Sequence, residues 1–165
     1  DVCHDQNKEA SKMVYPGMLP DHFLWPIKAL RDRAWLFFTT DPAKKSELLL
    51  LFADKRIGAA KALFDGGKVG LAVETASKAE KYLEESISEE QKARKKNMDT
   101  GPLLDRLALS SLKHREVLEE MYNKAGEDAR PKIVLIIDYP KRFFNEIRPM
   151  LIDLNRPLPE SPFDQ

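Results

Sequence analysis

The 165-residue sequence predicts an all-α protein: an elongated antiparallel helical hairpin extended into a bundle of about five helices. Three observations point there. No proline occurs between Pro42 and Pro102, although the chain has 11, so long helices can run uninterrupted through this stretch. Apolar residues recur at spacings of three and four along most of the chain. Charged residues make up 33% and aromatics 8%, which suits helices with a large wet surface better than a sandwich or barrel. The length suits one domain whose core needs neither disulfide nor metal.

Residues 1–25 read as an irregular N-terminal segment, with turn chemistry at Tyr15-Pro16-Gly17-Met18-Leu19-Pro20. A first helix fits from Pro26 to about Phe38, with Ile27, Leu30, Ala34 and Phe37 or Phe38 along one side. Asp41-Pro42 is an N-cap followed by a first-turn proline: the carboxylate accepts from free N–H groups, and proline lacks the N–H that would be orphaned. The helix it opens should reach about Phe64, with Leu50, Ile57 and Phe64 at intervals of seven and the small Ala53 and Ala60 permitting a close neighbour. Asp65-Gly66-Gly67-Lys68 is the stop, because Gly66 or Gly67 can take the left-handed conformation without a Cβ penalty.

A second arm follows from Val69 to about Asn97, roughly 43 Å long at 1.5 Å per residue, with Ala72, Ala76, Ala79, Leu83 and Ile87 on its stripe. Lys92, Arg94, Lys95 and Lys96 then complement the negative helix end. Thr100-Gly101-Pro102 restarts the pattern, and Leu104, Leu107, Ser111, His114, Leu118, Met121 and Ala125 carry it to Gly126. After Asp128, a last stripe runs through Ile133, Ile137, Phe144, Ile147, Leu151 and Leu154, where Pro140 should kink or split the helix. The run 133–137 fits either a helix or a short buried strand; helix is preferred because no other strand is present to pair with it. Thus 26–97 form a hairpin region, 98–155 the C-terminal helices of the same domain, and 156–165 an extended proline-rich tail.

Lys+Arg and Asp+Glu are 27 each, which removes the basic footprint of a nucleic-acid binder. No window approaches 18 consecutive apolar residues, so nothing reads as a membrane span. The chain starts at Asp1 rather than Met, as a removed export signal or a cloning decision would leave it. The lone Cys3 cannot form an internal disulfide.

Candidate chemistry is sparse. Asp1, Cys3, His4 and Asp5 are potential zinc or copper ligands, but a metal site needs a scaffold and a terminus is normally mobile, so Cys3, His4 and Asp5 stand as the weaker alternative. His114 lies three residues after Ser111 rather than after Glu, so the Glu-x-x-His pattern of diiron bundles fails and a hydrogen-bonded core histidine is expected. His22 has no nucleophile at a recognisable spacing, and Asp65-Gly66-Gly67-Lys68 lacks phosphate-loop spacing. The Lys92–Lys96 run, with Glu84, Glu85, Glu89 and Glu90 before it, reads as a solvated face, and no carboxylate stands in a recognisably buried context. The aromatics Tyr15, Phe23, Trp25, Trp35, Phe37 and Phe38 include both tryptophans. The preferred expectation is that they plug the end of the hairpin; otherwise Tyr15, Phe23, Trp25 and Trp35 form a partner-binding patch.

Several segments together resemble a known family. These are Tyr15-Pro16-Gly17, Leu24-Trp25-Pro26-Ile27-Lys28, Thr40-Asp41-Pro42-Ala43-Lys44-Lys45-Ser46-Glu47-Leu48 and Phe52-Ala53-Asp54-Lys55-Arg56-Ile57-Gly58-Ala59-Ala60. Over residues 15–90 the chain resembles the bacterial family called domain of unknown function 5667, with Gly58 and Ala59 departing from its more polar pattern. Members typically follow a signal peptide or membrane anchor, so the resemblance implies an extracytoplasmic place, and with no established activity in the family it supplies no catalytic residue. The resulting expectation is a non-enzymatic, cofactor-free interaction or structural module. Its partner would be a protein or envelope component, never nucleic acid, with any membrane tether supplied by a segment outside this chain. The rival is a small-molecule or metal-binding sensory bundle.

Overall fold

The computed structural model describes Pro20 and residues 23–163. Among these there are five helices and no strand: α1 (Trp25–Phe38), α2 (Pro42–Asp65), α3 (Val69–Lys95), α4 (Gly101–Lys124) and α5 (Arg130–Asp153). The caps explain the boundaries. Asp41 accepts from the Lys44 amide at 3.0 Å and Pro42 occupies the first turn of α2. Gly67 takes φ 80°, letting the Lys68 amide reach back to the Leu63 carbonyl at 2.9 Å. Asn97 (φ 59°) and Asn155 (φ 51°) take the same left-handed place after α3 and α5, the role asparagine tolerates best after glycine.

α2 and α3 form an antiparallel hairpin whose arms meet along alanines: Ala53, Ala60, Ala72, Ala76 and Ala79 are all fully buried. Ser46 and Ser86 fasten the open end, each hydroxyl donating to the other residue's backbone carbonyl at 2.7 Å. The 27 residues of α3 give an arm of about 40 Å. A second hairpin, α4 and α5, packs on the first, with α2 beside α4 and α3 beside α5. Residues 133–137 are helical, and Pro140 does not split α5: it is buried within one continuous helix that also passes Pro149. The predicted stripe ends early, because Leu154 lies just past α5 and is exposed.

The core has two apolar clusters stacked along the bundle. One gathers Ile57, Leu63, Phe64, Leu118, Met121 and Ile133 at the Gly66-Gly67 end. The other gathers Leu50, Leu83, Ile87, Leu104, Phe143 and Leu151 toward the opposite end. The tail is tied to the second: Arg156 Nε donates to Asp105 Oδ1 at 2.9 Å, and the Phe163 ring packs on that cluster beneath the Arg115 guanidinium, 3.7 Å from its centroid.

Candidate functional site

Among the described residues α1 is the one helix outside the two hairpins, and it lies along α2. Two stripes share its 14 residues. Trp25, Ala29, Asp32 and Leu36, spaced four, three and four, turn toward the bundle and line crevices against α2 and α3. Ile27, Leu30, Ala34, Phe37 and Phe38 turn away: Ile27 is 67% exposed, Leu30 70%, Phe37 82% and Phe38 78%. This corrects the expectation that the aromatics plug the hairpin. Trp35 is 58% exposed and Phe23 81%, whereas Trp25 is half-buried. Tyr15, the remaining member of the proposed aromatic patch, lies outside the described residues, as do Cys3, His4, Asp5 and His22.

α1 meets the bundle through both apolar and charged side chains: Trp25 shares a crevice with Phe52, and Ala29 and Leu36 share one with Tyr82. Lys28 stands 5.0 Å from the Trp25 ring centroid, and the Arg56 guanidinium is held between the Trp25 and Tyr82 rings at 5.3 and 4.7 Å. Asp32 is buried in a crevice with Lys28, Lys55 and Arg56 and accepts from Arg31 at 2.8 Å. Between α1 and the α2/α3 hairpin runs a groove of about 390 Å³ walled by Trp25, Arg33, Arg56, Lys78, Lys81 and Tyr82, with the carboxylate of Glu85 also on its wall.

A second constellation sits at mid-bundle, between the apolar clusters. His114, on α4, directs Nδ1 to Glu80 Oε1 at 2.8 Å and Nε2 to Asp54 Oδ1 at 3.1 Å, while Ser110 Oγ also donates to Asp54 Oδ1. His114 and Glu80 are each 1% exposed. A carboxylate oxygen accepts and cannot donate, so both ring nitrogens carry protons and the ring is an imidazolium. Burial alone would lower the His114 pKa. The charge of Glu80 and hydrogen bonds to Asp54 and Glu80 outweigh it and raise the value from 6.5 to about 9. With both N–H groups committed, this ring is no general base at neutral pH; it ties α2, α3 and α4 in one register.

Near the open end, Glu90 is fully buried and accepts from Thr100 Oγ1 at 2.6 Å and Arg94 Nε at 3.2 Å. That corrects two expectations. Carboxylates do occupy buried positions, and Arg94 is engaged with Glu90 rather than merely solvated. The seam histidine is as expected, but its partners went unrecognised. The spacing held the signal: Glu80 falls four residues after Ala76 and three before Leu83, and Glu90 three after Ile87 and three before Ala93. Among the described residues no group of three or more His, Cys, Asp and Glu side chains is arranged to hold a metal ion, and no helix is long and apolar enough to cross a membrane.

The family model described as Domain of unknown function (DUF5667) matches residues 17–128, from ahead of α1 to the end of α4 and just beyond, further than the resemblance over 15–90. No curated protein and no solved structure matches the chain.

Proposed function

The chain belongs to this family, a domain of unknown function, and from that premise we propose that it is a non-catalytic helical interaction module acting outside the cytoplasm of a bacterium. The observation that carries this reading is the outward stripe of α1. Four large apolar side chains, Ile27, Leu30, Phe37 and Phe38, stand together on a helix whose other side is engaged with the bundle. Contiguous exposed apolar surface of this kind marks interaction sites, because leaving it in water costs about 25 cal/mol per Å². The buried His114 layer supports a structural rather than a chemical role for the bundle interior. The habit of the family to follow a signal peptide or anchor supports the placement.

The placement is tested by labelling. Lys132→Cys, on α5 and away from α1, in a Cys3→Ser background puts one thiol at an exposed position outside the proposed interaction face. In intact cells producing the full-length protein, this thiol should react with a membrane-impermeant maleimide; reaction only after lysis would contradict an extracytoplasmic place. The groove lined by Arg33, Arg56, Lys78 and Lys81, four cations against the one carboxylate of Glu85, with Trp25 and Tyr82 beside them, favours a second reading, a sensory bundle that takes a small aromatic anion. Saturable quenching of Trp25 by such an anion in a Trp35→Phe variant, lost on Arg56→Gln, would favour it.

A further inference from the structure

The borders of the outward stripe of α1 say what it meets. Helical spacing puts Arg33 on one edge, between the bundle-facing and outward stripes, and Arg31 on the other. Both are exposed, and Trp35 stands exposed beyond Arg31. The single carboxylate of α1, Asp32, is turned inward and buried. The outward half of the helix therefore carries large apolar side chains, a tryptophan and no outward carboxylate, with Arg33 along one edge and, along the other, Arg31, an exposed guanidinium that Asp32 Oδ1 holds at 2.8 Å. An apolar groove in a protein partner needs only the apolar stripe. An anionic bilayer surface uses all of it, taking aliphatic and phenyl groups to the acyl boundary, indole at headgroup depth and guanidinium groups up to the phosphates. Fourteen residues make a helix of about 21 Å, short of the ~30 Å hydrocarbon core, so the fitting orientation is in the plane of the interface.

We propose that the outward face of α1, made of Ile27, Leu30, Ala34, Phe37 and Phe38 between Arg31 and Arg33, docks in plane on the surface of an anionic phospholipid membrane. This rests on the reading of α1 as the interaction surface and specifies its partner as lipid. Binding draws on apolar insertion and on local positive charge, in a chain whose net charge is zero.

The test uses the full chain with Trp25→Phe, which leaves Trp35 as the single tryptophan. Vesicles of phosphatidylglycerol and phosphatidylcholine should shift Trp35 emission to the blue and protect it from acrylamide, with a weaker effect from phosphatidylcholine alone. Arg33→Gln should weaken partitioning to the anionic vesicles about fivefold, the equivalent of about 1 kcal/mol for one cation, Arg31→Gln should weaken it less because Asp32 already neutralises that guanidinium, and both differences should vanish in high salt. Leu30→Glu and Phe37→Glu should weaken it about tenfold or more on both vesicle types. These positions are exposed, so helical circular dichroism should be unchanged; should either glutamate variant unfold, Phe37→Ser replaces it. No flotation with anionic vesicles overturns the proposal. If the protein is instead a dimer that Phe37→Glu dissociates, the lipid proposal fails while the interaction reading stands. If Trp35 is already protected in a vesicle-free monomer, the face is covered by the chain itself and both fail.

Discussion

Replacing His114 with leucine should lower the free energy of unfolding by about 3–5 kcal/mol, the usual cost of removing one partner from a buried ionic group. The substitution takes away the bonds to Glu80 at 2.8 Å and to Asp54 at 3.1 Å. Asp54 keeps Ser110 and partial access to water. Glu80 keeps neither: its second oxygen is buried without a partner among the described residues, so a charged carboxylate would be stranded between two apolar clusters. Pairing His114→Leu with Glu80→Leu should therefore restore much of the loss, because an apolar pair in place of a buried ion pair is often near neutral. Chemical denaturation of the single and double variants measures both. A single-variant loss below about 1 kcal/mol would be too small for a buried ionic layer.

Stability should also fall by roughly 3 kcal/mol as pH rises from 6.5 through 9, about 1.4 kcal/mol for each unit by which folding raises the His114 pKa. The direction follows from the proton inventory. The folded protein holds this proton up to about pH 9, whereas the unfolded chain releases it near 6.5. The contribution is therefore complete below 6.5 and gone once the folded group has titrated. In His114→Leu the decline over this window should disappear. A wild-type unfolding free energy that is flat from pH 6.5 to 9 would mean that His114 is not the imidazolium its contacts require.

Most of the fold was legible because its determinants are local. The proline-free run, the Asp41-Pro42 start, the Gly66-Gly67 stop and the alanine stripes each act within a few residues, and the helices end within a residue or two of where those signals lie. Two features were hidden for different reasons. Periodicity identifies an apolar side of a helix but not which way it turns when the other side can also dock, and α1 offers both. Its inward stripe is held by Arg56 between Trp25 and Tyr82, a long-range contact that joins α1 to α2 and α3, and it sets Asp32 in a crevice shared with Lys55 and Arg56 of α2. Glu80 and Glu90 were hidden because charge normally marks a wet face. Each stands on a stripe position, and the residues that make burial tolerable, His114 and Thr100, lie on or before a different helix.

The orientation of α1 is tested most directly by the unfolding free energies of Leu30→Ser and Phe37→Ser, compared with wild type by chemical denaturation. Both side chains point to solvent, so each variant should stay within about 0.5 kcal/mol of wild type, the range of ordinary surface changes. A loss of 2–5 kcal/mol in either, the cost of emptying a packed core position, would mean that the stripe is buried in the folded protein and leaves no interaction surface there.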